Sequence, residues 1–328
     1  NCLDGDTNCL DGDTNCLDGD TNCLDGNSLG DGNHVLSEVY RTYGILMIKS
    51  SNNTVDSNEV YVTSEVNESM VVNSTNSLVG VDFYYDCDNN VISNNIIDVS
   101  GNDNYLYGAG ALAQSTGQFS TSTAKNNTFV NNAISVRGYN VAEGLIFGQG
   151  CEENVIADNC IEVIADRTAY GITLENSSVS SIEGNDIVFS AAIGYGIEAY
   201  SSNENDIENN NITGEGKVIT GIAGINTCNN IIMNNIINSE GNNSDLGFRI
   251  HDVINAPNSG IFLDGKSLSN SIQYNNITTQ EGYPVELSKD ATSNVITDNY
   301  LKGEIASGDE GVNNSKNNEV HDNYAYTY

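Results

Sequence analysis

Tryptophan is absent from the 328 residues, proline occurs twice, and only 11 side chains are basic against 45 acidic ones. Each shortage excludes something. Without tryptophan there is no indole platform for an aromatic-rich sugar groove, and two prolines are too few for a proline-rich linker. A formal charge of −34 repels phosphate and anionic lipid, which argues against nucleic acid and membrane surfaces as partners. No stretch approaches the roughly 18 apolar residues of a membrane span, so no insertion is expected within the chain. It opens at Asn1 without an apolar leader, which reads as a mature or trimmed product.

What is present is turn chemistry. Charged residues make up 17% and hydrophobic ones 38%, so the polarity comes mainly from Asn, Ser, Thr and Gly. Asn-X-Ser/Thr begins at Asn52, Asn67, Asn73, Asn126, Asn176, Asn211, Asn242, Asn276 and Asn313, candidate glycosylation positions if the chain is secreted. Eight cysteines, an even number, fit an oxidising compartment. Together these features place the expected location outside the cell, at its surface.

The fold is read from an internal repeat, Asn-X-Ile-X-X-Asn-X-Ile. It occurs at Asn53, Asn90, Asn127, Asn154, Ser180, Asn205, Asn230, Asn270, Asn294 and Asn318, ten copies in steps of 37, 37, 27, 26, 25, 25, 40, 24 and 24. A coil of 24–27 residues explains six steps, and insertions near 62–86, 100–122 and 239–259 explain the other three. A Gly-Ile type pair lies in phase at Gly144, Gly171, Gly196, Gly221 and Gly260, with Pro284 in the sixth place. Apolar spacings of two and five rule out an amphipathic helix and place Ile92, Ile97 and Val99 inward on short strands. The expected fold is all-β, a right-handed parallel β-helix of about ten coils with three short strands each, the third starting at the glycine. Coils about 4.8 Å apart would align the asparagines into amide ladders and give a rod on the order of 50 Å. The bend between Ile92 and Ile97 asks for a left-handed residue, assigned to Asn95 and its equivalents.

These repeats resemble the Asn/Ile-rich β-helix repeats of adhesin-like cell-surface proteins of methanogenic archaea. The wider group includes pectate-lyase-like and periplasmic copper-protein β-helices. The likeness covers residues 34–328 and implies a secreted, surface-attached protein with an adhesion or envelope role. It brings no catalytic residues, since no matching motif is present.

Residues 1–33 are a different object, an arm in which Asn-Cys-Leu-Asp-Gly-Asp-Thr repeats three times and then breaks off. One leucine per heptad is too little for a coiled coil. Four readings stay open. The arm is a flexible acidic tether; or a Ca²⁺ segment using Asp4, Asp6, Asp11, Asp13, Asp18 and Asp20, though the EF-hand glycine and glutamate are missing. Or it cross-links through Cys2, Cys9, Cys16 and Cys23, or it winds as a capping coil. The remaining cysteines, Cys87, Cys151, Cys160 and Cys228, fall beside the repeat asparagines and read as buried or edge thiols.

No strong active site emerges. Arg249, His251 and Asp252 in the longest insertion form a weak catalytic candidate against a salt-bridged loop anchor. Tyr84, Tyr85, Tyr105 and Tyr107 are candidate sugar-stacking residues on two insertions, unless they pack back onto the coils. The expectation is a non-enzymatic surface or envelope protein, self-associating and disulfide cross-linked, or one that engages a surface glycan or protein. No cofactor beyond Ca²⁺ is expected. The rival readings are a glycan-active lyase, hydrolase or epimerase, and a passive carbohydrate-binding module.

Overall fold

The computed structural model describes residues 2–3, 15–17, 22–23, 33–36, 41–63, 77–84, 86–101, 105–111, 124–242, 258–304, 311–313 and 316–327. The chain divides into two compact units, residues 1–167 and 168–328. Every described element is a strand, and no described helix is long and apolar enough to cross a membrane.

Each unit is a right-handed parallel β-helix. In the second unit the first strands of successive coils, Ser181–Glu183, Asp206–Glu208, Ile231–Met233, Ser271–Gln273 and Val295–Thr297, pair in parallel without a register slip. The second and third strands do the same, and in two coils they join into single 15-residue strands, Asp186–Tyr200 and Asn211–Ile225. The first unit repeats the scheme, with Ile96–Ser100 lying between Glu59–Thr63 and Ala133–Gly138. Parallel crossovers of this kind wind right-handed almost without exception. Ile92, Ile97 and Val99 are fully buried, as are Ile182, Ile187 and Ile207 in the second unit.

The asparagines hold the corners. Asn210 is typical: its Oδ1 accepts from the backbone N–H of Asn185 at 3.0 Å and from Asn185 Nδ2 at 2.9 Å. Its own Nδ2 donates to the Ile182 carbonyl at 2.9 Å and to Asn235 Oδ1 at 3.0 Å. The first unit builds the same ladder through Asn58, Asn95, Asn132 and Asn159. A bent corner cannot keep a main-chain ladder, so the amide supplies the partners that buried backbone groups require.

The left-handed residue is not the one the sequence suggested. Asn94, Asn131, Asp158, Asn209 and Asn234 carry the positive φ, each one position before the buried asparagine, and Asn95 does not. The exposed residue makes the turn, which swings the next side chain into the corner. A second correction concerns the glycines, which lie within the third strand rather than at its start, as Gly144 does in Val141–Phe147. A Cβ on Gly196 would stand 2.4 Å from Ile212 Cγ2 and 2.6 Å from the Gly221 carbonyl oxygen. The third strand therefore passes too close to the core isoleucines for any side chain.

Interior bulk is matched locally. Phe83, Phe129 and Phe147 are fully buried and form a chain of ring contacts at 5.5 and 5.1 Å. In the second unit Phe189 occupies space left by Gly194 and Gly214.

Two expected insertions shrink. Ser77–Tyr84 and Tyr105–Ala111 are third strands in register with Arg41–Ile48 and Val141–Phe147. The coils begin at Asn33–Leu36, which pairs in parallel with Glu59–Thr63. In the arm, Asn15–Leu17 runs antiparallel to Arg41–Ile48 and to Asn22–Cys23, unlike the parallel winding of a capping coil.

Substituting Asn210→Ala leaves the Asn185 N–H and the Ile182 carbonyl buried without partners. The expected cost in urea unfolding of the full chain is about 2–4 kcal/mol. Asn209→Gly, at the adjacent exposed left-handed position, should change stability by less than about 1 kcal/mol. Gly196→Ala should cost about 1–3 kcal/mol or more through overpacking.

Candidate functional site

The glycine column creates an outer face that strict alternation would not give. Gly171 and Ile172 both turn toward the interior, since a Cβ on Gly171 would meet Ile187 Cγ2 at 2.4 Å and Ile172 is fully buried. Tyr170 and Thr173, three apart, consequently share the outer side. The first unit shows the same arrangement, where Tyr43 and Leu46 across Gly44 join Val79 and half-buried Tyr107 in one cluster.

In the second unit this face carries Tyr170, Thr173 and Glu175 on one strand and Tyr195, Glu198 and Tyr200 on the next. Tyr170 lies opposite Tyr195, Thr173 opposite Glu198, and Glu175 opposite Tyr200. The Tyr170 and Tyr195 rings stack at 5.2 Å with 9° between their planes and are nearly closed to solvent. They form an apolar floor. Glu198 and Tyr200 are half-buried beside it and Glu175 is exposed.

Two polar groups there stand in unfavourable surroundings. Thr173 is 7% exposed, and its Oγ1 has no hydrogen-bond partner. Burial pushes the Glu198 carboxyl up to about 7, helped by repulsion from Glu175. Burial likewise raises the Tyr195 phenol, with Glu198 adding to it. Further along, Glu286 is raised by burial, lowered by the 3.2 Å hydrogen bond from Asn313 Nδ2, and raised again by Glu304. Such groups on an aromatic floor make a place for a ligand rich in hydrogen-bond donors and acceptors.

The described candidates drawn from sequence do not join this face. Arg249, His251, Asp252, Tyr85, Cys9, Asn67, Asn73 and the six heptad aspartates lie outside the described residues. Tyr84, Tyr105 and Tyr107 sit on third strands rather than on loops, and Tyr107 packs back against Tyr43, Leu46 and Val79. Of Cys2, Cys16 and Cys23 the backbone alone is described, with Cys23 opposite both Cys2 and Cys16 in antiparallel register. Cys87 and Cys151 are buried, and Cys87 Sγ accepts from the Ser50 N–H at 3.5 Å. Ser202 has the same role in the second unit, accepting from the Ser177 N–H at 3.0 Å, so the Cys87 thiol stands where a corner serine does. Cys160 is exposed and Cys228 half-buried.

Among the sequons, Asn52, Asn126, Asn176, Asn211, Asn242 and Asn276 are exposed, while half-buried Asn313 holds Glu286. Clustered acids stand at corners: Glu152 meets Lys125 at 2.5 Å, Asp88 accepts from the Lys125 N–H, and Glu153 and Asp158 are left-handed. Sequence reading missed the face because it fixed on the glycines and, Tyr107 apart, not on the tyrosine before them, at Tyr43, Tyr170 and Tyr195.

The family described as periplasmic copper-binding protein (NosD) matches residues 139–249. Copper prefers histidine and sulfur ligands, and no group of three His, Cys, Asp or Glu converges among the described residues. No curated protein matches the chain. Among solved structures it is similar to the A-module of mannuronan C-5 epimerase AlgE4 from Azotobacter vinelandii. Identity is 14%, covering 91% of this chain and 79% of that one, with a TM-score of 0.39. The Dettilon tailspike protein gives 12%, 89%, 61% and 0.40 in the same order. A double mutant of the periplasmic alginate epimerase AlgG gives 11%, 89%, 74% and 0.38. At such identities function must be argued from the residues of the face.

The raised Glu198 carboxyl fixes a pH dependence. The folded chain holds its proton up to about pH 7, whereas the unfolded one releases it near the usual glutamate value. Stability therefore falls as pH rises between these values and is level above them. The decline is at most about 3 kcal/mol, less for the solvent reaching this half-buried group. Glu198→Gln should abolish it, with a melting temperature several degrees above wild type at pH 8 and equal to it at pH 4. A parallel decline in both proteins would show that Glu198 is not its source.

Proposed function

We propose that this chain is a non-catalytic protein of the cell surface or envelope that binds saccharide on the outer face of the third strands of residues 168–328. The observation that carries the reading is the unpartnered Thr173 Oγ1 opposite the burial-raised Glu198, beside the stacked Tyr170 and Tyr195 rings. Aromatic floors with a few directed polar groups are how proteins take sugars, whose CH faces stack while hydroxyls need partners. An adhesive role is supported by the resemblance to adhesin-like surface repeats. A place outside the cytoplasm is supported by the word periplasmic in the matching family's description, by the sequons and by the eight cysteines.

A second reading, glycan cleavage or epimerisation, is favoured by the asymmetry of Glu198 and its neighbour Glu175. A carboxyl held protonated near neutrality beside an ordinary one is the pattern of an acid and base pair. Binding is preferred because the face as described gives Glu198 no positioning hydrogen bond.

Screening the full chain on a glycan array should show selective retention, weakened about tenfold or more by Tyr200→Ala. No new reducing ends or unsaturated sugars should appear on long incubation with the retained glycan; their appearance would replace binding with turnover. The arm's proposed role in self-association has its own readout. Non-reducing gels should show multimers that collapse on reduction, and monomer in both lanes would end the cross-linking idea.

A further inference from the structure

Charge selects the ligand at this face. Carboxylates recur at its outward positions, with Glu175, Glu198, Asp264 and Glu286 on four of the third strands. Basic residues do not. Lys217 is exposed at the bend of its strand, and Lys266 and Lys289 are exposed beyond the ends of theirs. Among the described residues, the charges felt by Glu198 and Glu286 are those of other carboxylates, Glu175 and Glu304. Acidic clusters alone mark no site, but here Thr173 adds a buried hydroxyl oxygen without a partner, directly opposite Glu198.

We infer that the face takes a saccharide without acidic groups, neutral or amine-bearing, and refuses polyuronates. The inference rests on the saccharide-binding reading above and adds the chemical class. Hydroxyl or ammonium hydrogens on the sugar donate to the carboxylates of Glu175 and Glu286 and to the carbonyl oxygen of the Glu198 carboxyl, and Thr173 Oγ1 exchanges a hydrogen bond with a ring hydroxyl. A uronate would bring its carboxylate against the same groups with no cation between among the described residues, and the chain's charge of −34 opposes its approach from further out. Such a repulsion is partly screened at physiological salt, where the screening length is about 8 Å.

Calorimetric titration or affinity gels of the full chain, at about 0.15 M salt with EDTA present, test this. The chelator removes divalent ions that would bridge carboxylates. Dextran, mannan and chitosan oligosaccharides are compared with polygalacturonate and alginate oligosaccharides. Expected is retention of a neutral or amino saccharide and binding of both polyuronates at least about tenfold weaker, a gap of about 1.4 kcal/mol. Glu175→Gln, at an exposed position that should not disturb folding, narrows the gap. Polyuronate binding that is tighter than any non-acidic saccharide, and lost in Tyr200→Ala, overturns the inference while leaving the face as a saccharide site. Retention of no saccharide at all overturns both.

Discussion

A corner that turns sharply cannot hydrogen-bond to the coils above and below as a straight strand does, and everything else in this fold depends on how that loss is met. Each buried asparagine meets it with one planar amide. Its oxygen takes two donors from the preceding coil, and its nitrogen gives one hydrogen to a carbonyl there and one to the next asparagine. Other residues fail in identifiable ways. Aspartate would stack like charges at the coil spacing of about 4.8 Å. Serine has one donor and serves where less is needed, as at Ser180, whose N–H reaches Asn205 Oδ1 at 2.9 Å. The ladder fixes the register, and the register stacks the isoleucines, so core and corner depend on each other within each unit.

With stability lodged in interior and corners, the outward positions are free to carry strain. Thr173 Oγ1 has no partner and Glu198 keeps its proton near neutrality, both unfavourable arrangements that a small core would not tolerate. The glycine column is what makes them possible. By turning two successive residues inward it brings side chains three apart onto one outer surface, and it does so at the same place in consecutive coils. Tyr170 then stacks on Tyr195 as a consequence of register.

Period and residue type are visible in a sequence; backbone sign and strand parity are not. The asparagine columns, the inward isoleucines and the parallel winding were therefore legible, because each is a repeat of residue type at fixed spacing. The left-handed residue was misplaced by one position, from Asn94 to Asn95, because both are asparagine and only the torsion tells them apart. Alternation counted through Gly196 would send Tyr195 to the interior, which hid the face. The role of Cys87 was not legible, since only the structure shows it accepting an N–H just as Ser202 does. Arg249, His251 and Asp252 lie outside the described residues, and the groups with perturbed environments that are described stand within the regular coils.

The charge of the chain and the charge of the face then bear on one question. A strongly acidic solenoid can bind an anionic polymer only where basic residues or bridging metal ions reverse its field locally. Along the third strands of residues 168–328 the outward titratable groups are tyrosines and carboxylates, and the lysines stand at bends and beyond strand ends. Carboxylates can only accept when ionised, so the partners that suit this surface are donors. A protonated Glu198 contributes a donor of its own near neutral pH, and with Thr173 it lets the floor of the face both give and receive hydrogen bonds. That combination matches polyhydroxylated, non-acidic ligands better than polyanions, whichever of binding or turnover follows.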